Sequence, residues 1–278
     1  MLLAQVLPLA LFLLAAEWVI GSFAVMLMAD AQGEISGAFL GRYGLTFFLG
    51  GLFTLWLRSQ YPSTEALADG GFTLQTQWLG REQTALIWFV VLLGLYNPAV
   101  WFGLRTARRV AGGLAVVAGV STLVFSALAY GQEPWTGIGT IANFLAASLA
   151  LGAATTGLAV GHSYLTHPMS HRPLRDITIV LFLALLVQIV SLPIYLGMLG
   201  SQAAADKSSA LLGTYGLILG VRLAIGLFFP IVLAILAWHT TRIQAMRSAT
   251  GLLYIGSGVI LTGEIVAKVL FFIGGLPV

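Results

Sequence analysis

Eight apolar runs, each about as long as a bilayer-crossing helix, leave this chain few ways to fold. They are Leu2–Met28, Gly37–Leu57, Ala85–Leu104, Val110–Tyr130, Ile138–Val160, Ile177–Leu199, Leu211–Trp238 and Gly251–Ile273. In hydrocarbon every backbone N–H and C=O needs an internal partner, so runs of this length read as helices. Only 8% of the 278 residues are charged, against about 25% in a soluble domain. The expectation is an all-α integral membrane protein, a bundle of eight transmembrane helices forming a single domain over 1–278, without internal repeat or linker. The first run is longer than a signal-peptide core and has no basic segment before it, so it is expected to stay as a span. The chain has no cysteine, which rules out a disulfide, a thiolate metal site or a cysteine-held iron–sulfur cluster. No nucleic-acid partner is expected.

Lysine and arginine in the loops set the expected orientation. Arg105, Arg108, Arg109, Arg172, Arg175, Arg242 and Arg247 follow the third, fifth and seventh spans, whereas Arg58, Arg81 and Lys207 lie on the other side. The first group is expected in the cytoplasm, which places both termini on the outer side. The acidic loop with Asp30 and Glu34 dissents mildly. The longest loop, Arg58 to Thr84, is then external; its Trp78, Leu79 and Phe72 suggest a segment lying at the interface or against a partner.

Few polar residues fall inside the spans, and a charge at bilayer depth costs about 2.5–3.5 kcal/mol on insertion scales, so each needs a partner. Glu264 and Lys268 are one helical turn apart with the carboxylate first, the favourable order. Glu17, Arg222 and Glu264 sit about 12, 16 and 14 residues from the cytoplasmic ends of their spans, within roughly 6 Å in depth, and Gln188 is close to that level. The expectation is an intramembrane polar cluster of Glu17, Arg222, Glu264 and Lys268. It either conducts protons, faces a quinone, or simply fixes helix packing. Asn97-Pro98, Pro193 and Pro230 interrupt backbone bonding at depth, and small-residue runs such as Ala146-Ala147-Ser148 and Gly152-Ala153-Ala154 favour close helix contact. His162 and His239 fall at helix ends, where a bis-histidine haem would have its ligands only at the rim. His162, His167 and His171 lack a common helical frame for a metal, and no metal site is expected.

Several short motifs carry a family likeness. The first span reads LPLALFLLAAEWVIGSF, TLQTQWLGREQTAL leads into the third, and Trp135-Thr136-Gly137-Ile138-Gly139 opens the fifth. YGLILGVRLAIG places Arg222 centrally in the seventh, and GEIVAKVLFF occupies the eighth. Along most of its length the chain resembles the membrane anchor subunit of the dimethyl sulfoxide reductase family, related to polysulfide-reductase-type quinol-binding anchors. Lys268 stands where that family has arginine, and Arg58 stands where it can carry a histidine four residues before a proline, here Pro62.

The resemblance implies a subunit with no metal or covalent cofactor of its own and quinol or quinone as exchangeable substrate. Its partners would be an iron–sulfur electron-transfer subunit and a molybdopterin catalytic subunit on the outer, periplasmic face of a bacterial inner membrane. Quinol oxidation needs a proton acceptor near neutrality. The outer-face candidates are Arg58, Tyr61, Arg81 and Glu82. Glu82 is expected to accept the quinol proton where loop meets helix, or else to serve as an N-terminal cap of the third helix. Arg58, which cannot act as a base, would hold a quinone oxygen. Two other classes stay open: a proton-coupled secondary transporter built on the intramembrane cluster, and a haem b-binding cytochrome using His162 and His239.

Overall fold

The computed structural model describes residues 2–61, 74–131, 137–166, 170–198, 213 and 216–274. Pro62, Phe72, Trp135, Thr136, His167 and Lys207, to which the sequence draws attention, lie outside them. Among the described residues eight long helices follow in order: α1 (Leu2–Ala31), α2 (Gly37–Ser59), α3 (Thr76–Trp101), α4 (Arg105–Tyr130), α5 (Ile138–Thr166), α6 (Arg172–Met198), α7 (Gly216–Arg242) and α8 (Met246–Gly274). All eight are long and apolar enough to cross a membrane, which makes the chain a multi-pass membrane protein.

The helix starts differ from the apolar runs wherever the first turns are polar. The α3 helix begins at Thr76, nine residues before Ala85, so the C-terminal part of the expected external loop is helical. The arginines expected in loops likewise sit in terminal helical turns: Arg105, Arg108 and Arg109 in α4, Arg172 and Arg175 in α6, Arg242 in α7 and Arg247 in α8. A hydropathy run marks the part of a helix that hydrocarbon can solvate, whereas the backbone bonding continues into the polar boundary.

Packing divides the eight helices into two rings of four. The first runs α1–α2–α3–α4 and back to α1; the second runs α5–α6–α7–α8 and back to α5. The rings meet mainly through α1 with α5, flanked by α1 with α8 and α4 with α5. Each ring's first helix thus touches the other ring's first and last. The halves share a topology that no sequence repeat announces.

The α1–α5 seam is close enough for backbone contact. A Cβ on Gly21 would collide with the Ser148 backbone, and one on Gly152 would collide with Gly21 and Ser22. Three cross-helix bonds stitch the same seam: Trp18 Nε1 donates to Thr155 Oγ1 at 3.0 Å, Ser148 Oγ to Glu17 O at 3.0 Å and Thr156 Oγ1 to Ser22 O at 3.1 Å. Small residues are what allow this approach, the usual solution where lipid supplies no hydrophobic drive between helices.

Side-chain contacts define the two ends of the molecule. At the upper end Phe12, Tyr61, Glu82, Tyr130 and Phe272 come together. At the lower end Arg108 of α4 pairs with Asp30 of α1 at 2.9 Å, and Gln32 Nε2 donates to Asp176 of α6 at 2.9 Å. Ser36 caps α2 by accepting from Phe39 N at 3.3 Å, the role that hydroxyl suits.

Candidate functional site

Two buried polar clusters stand out, one in each ring. The upper cluster belongs to the first ring. Glu82 is the seventh residue of α3 and is completely buried. It is neither a cap nor a junction residue: Gln75 holds the N-cap position, without a side-chain bond. Glu82 Oε2 accepts from Arg58 Nε at 3.0 Å, and Oε1 accepts from Ser126 Oγ at 2.6 Å and from the Tyr130 hydroxyl at 2.5 Å. Tyr61 completes the group, its hydroxyl 2.5 Å from that of Tyr130.

Each element contributes for a local reason. Arg58 lies in the last turn of α2, where a cation is favoured by the helix dipole. Its guanidinium carbon sits 4.1 Å from the centre of the Tyr61 ring. Ser126 and Tyr130 are one turn apart at the end of α4 and therefore face α3 together. Phe12 of α1 meets the Tyr61 ring edge-on at 5.3 Å, and Phe272 of α8 lies 6.0 Å from the Tyr130 ring. A buried carboxylate with one guanidinium and two hydroxyl donors has its charge compensated and both oxygens engaged, which is what burial of an ion requires. Burial, and next the Glu82 charge, push the Tyr61 phenol well above its usual range, so it keeps its proton around neutrality.

Arg81 does not join this cluster. Its side chain is exposed and stacks over Trp78 at 4.8 Å. It lines a groove of about 620 Å³ between α3 and α4, with Trp88, Leu92, Leu114 and Phe125. One residue along a helix rotates the side chain by about 100°, so adjacent Arg81 and Glu82 point to opposite surroundings.

The mid-depth cluster belongs to the second ring, with one residue from α1. Lys268 Nζ lies 2.8 Å from Glu17 Oε1 and 3.5 Å from Glu264 Oε2. Arg222 Nη2 lies 3.3 Å from Glu264 Oε1 and donates to Gln188 Oε1 at 2.5 Å, while Gln188 Nε2 donates to Glu264 Oε1 at 3.1 Å. All four charged side chains are buried. The depth arithmetic thus brings the right residues together with different partners: Glu17 pairs with Lys268, and Arg222 serves Glu264. The two cations and two carboxylates balance.

Arg222 opens a π-helical stretch, Arg222–Phe228, in which Phe229 N donates to Ala224 O five residues back. Pro230 has no N–H for Gly226 O, one α-helical turn earlier, and Arg222 Nη1 donates to that carbonyl at 3.3 Å. Gly226 and Gly263 let α7 and α8 touch here: a Cβ on Gly226 would lie 2.8 Å from the Gly263 Cα. A run of ring contacts joins the two clusters: Tyr130–Phe272 at 6.0 Å, Phe272–Phe271 at 5.1 Å, Phe271–Phe144 at 5.2 Å, and Lys268 Nζ 5.3 Å from the Phe144 centroid.

His162 and His239 are both exposed, on α5 and α7, and His162 Nδ1 is 3.0 Å from the Tyr254 hydroxyl. Among the described residues no group of three histidines or carboxylates gathers as a metal site would require.

Sequence reasoning passes over Ser126 and Tyr130. The available signal is two hydroxyls one turn apart on α4, but nothing in the sequence says that this face meets Glu82. Comparison with known protein families, with curated proteins and with solved structures returns no match.

Proposed function

We propose that the chain is the membrane anchor subunit of a multi-subunit respiratory oxidoreductase, exchanging electrons with the quinone pool of a bacterial cytoplasmic membrane. The observation that carries this reading is Glu82, a fully buried carboxylate held by Arg58, Ser126 and Tyr130 beside Tyr61 at one end of a four-helix ring. A quinol bound at that end gives up protons and electrons together. Glu82 is the proton acceptor, and Arg58 supplies positive charge near the oxygen that loses its proton. The electrons leave to an iron–sulfur subunit docked on the upper face, which serves a molybdopterin catalytic subunit. The motif likeness described above supports these partners.

Orientation follows from the same reading. Arg42, Arg105, Arg108, Arg109, Arg172, Arg175, Arg242 and Arg247 belong to helix turns at the lower end, which the positive-inside rule puts in the cytoplasm. The upper cluster and both ends of the chain then face the periplasm.

Purification from native membrane in mild detergent tests the proposal. An iron–sulfur protein and a molybdenum subunit should co-purify, and the complex should oxidise a menaquinol or ubiquinol analogue. A colourless chain without partners would sink it. That outcome would favour the competing reading, a proton-coupled carrier, for which the charge-balanced mid-depth cluster and the duplicated ring order speak. A Soret band belonging to this chain would return attention to His162 and His239.

A further inference from the structure

We infer that Tyr61, rather than Glu82, is the group that meets the proton-donating substrate, and that Tyr61 and Tyr130 form a two-phenol relay delivering the proton to Glu82. This rests on the quinol reading for the identity of the donor, but its geometry does not depend on it.

Glu82 cannot receive a ligand hydroxyl directly. Its exposure is 0%, Oε1 accepts from both Ser126 and Tyr130, and Arg58 covers Oε2. A substrate reaching Glu82 would have to displace one of these donors inside a closed ring. Arg58 and Tyr61 are the partly exposed members of the group, and of the two only the phenol can take up a proton as it passes one on. Tyr61 also follows directly on Gln60, the C-cap of α2.

The direction of the chain follows from valence. An ionised carboxylate only accepts, and a phenol has a single hydrogen to donate. The Tyr130 hydrogen is committed to Glu82, so in the 2.5 Å contact between the two phenols Tyr61 donates and Tyr130 accepts. The order is Tyr61 O–H to Tyr130 O–H to Glu82, with the Tyr61 oxygen left as the acceptor end. Both hydrogens already point inward, so the relay is set to take a proton in at Tyr61.

The transfer balances in one concerted step. The hydroquinone O–H bond breaks and its proton bonds to the Tyr61 oxygen. The Tyr61 proton passes to Tyr130, and the Tyr130 proton passes to Glu82 Oε1. Both phenols end neutral, Glu82 becomes a neutral acid, and one electron passes with this proton to the partner's iron–sulfur cluster, leaving a neutral semiquinone whose remaining proton and electron follow once Glu82 has released its proton. Arg58 sits over the Tyr61 ring at 4.1 Å, where its charge stabilises the phenolate character that develops during transfer. Phe12 and Phe272 hold the two rings from the apolar side.

The test follows Glu82 itself. On the purified full chain, with its partners where they co-purify, a rapid acid jump is monitored at the infrared carboxylic-acid stretch, assigned to Glu82 by its loss in Glu82→Gln. Tyr61→Phe and Tyr130→Phe each keep the ring and remove the hydroxyl. Both should slow proton arrival at Glu82 by on the order of 10²-fold, the scale of a lost proton-transfer partner. Tyr96→Phe, a buried phenol at the other end of the ring, should leave the rate unchanged. Wild-type rates in either Tyr61→Phe or Tyr130→Phe would overturn the relay. Should Tyr130→Phe fail to assemble, Tyr61→Phe decides alone. A relay that responds as expected in a chain that neither binds nor oxidises menadiol would uphold the proton path and overturn only the quinol reading. Menadiol oxidation at the wild-type rate by Tyr61→Phe would do the reverse.

Discussion

Lys268 Nζ lies 2.8 Å from Glu17 Oε1, tying α8 of the second ring to α1 of the first by an ion pair with both partners buried. The same ammonium is 3.5 Å from Glu264, one turn back on its own helix. A buried pair adds little over an apolar replacement, but removing one partner strands the other charge at a cost of about 3–5 kcal/mol. Glu17→Gln and Lys268→Met should each destabilise the chain by about that amount. The double variant should lose less than the sum of the two. Unfolding in mixed micelles, run as a double-mutant cycle, measures this; additive losses would remove the pair as a coupled unit.

Glu264→Gln leaves two cations facing one carboxylate, although the amide still offers Gln188 and Arg222 an oxygen. Assembly or turnover should fall, with stability lower by about 3 kcal/mol. Full activity and unchanged thermal stability of this variant would show that the mid-depth cluster is dispensable.

At the ring seam, Gly152→Ala should prevent assembly or lower the yield sharply, because its Cβ would enter the backbone of Gly21 and Ser22. Gly258→Ala, where nothing lies within 4 Å of the added atom, should be tolerated. Detergent-extracted yield and gel-filtration profile compare the two. Equal behaviour would mean that α1 and α5 can separate to admit a methyl group.

Because the chain contains no cysteine, single cysteines report its orientation cleanly. Gln60→Cys at the upper end should react with a membrane-impermeant maleimide in intact cells. Ile243→Cys at the lower end, where the native side chain is 62% exposed, should react only after permeabilisation. The opposite pattern would invert the proposed topology.

Glu82→Gln keeps the size of the side chain but removes the charge that Arg58 compensates. The variant should assemble, since hydroxyls of Ser126 and Tyr130 can bond an amide oxygen, while quinol oxidation should fall by on the order of 10²-fold or more. Stopped-flow oxidation of menadiol is the measurement. An unchanged rate would remove Glu82 from the proton path.

The spans are legible in the amino-acid order because backbone polar groups in hydrocarbon leave no alternative to helix. Glu17, Arg222, Glu264 and Lys268 stand out because a charge at that depth is expensive, and counting residues from the span ends brings them to one level. The start of α3 is hidden because Thr76, Gln77, Arg81 and Glu82 are polar, and an average over a window cannot see that Glu82 turns inward to three donors. Ser126 and Tyr130 are hidden for the same reason: ordinary residues at the end of an apolar run acquire meaning from the helix opposite them.

By itself, then, the sequence determined that eight helices are long and apolar enough to cross a membrane and that Glu17, Arg222, Glu264 and Lys268 share a level, since both follow from local composition and a fixed rise per residue. The tertiary structure alone decided that the helices close into two rings, that Lys268 reaches Glu17 as well as Glu264, and that Tyr61 and Tyr130 line up on Glu82. Those outcomes depend on the rotation of each helix about its axis. That rotation is set by glycine contacts such as Gly21 with Gly152 and Gly226 with Gly263, between residues far apart in the chain, whose meeting no local pattern encodes.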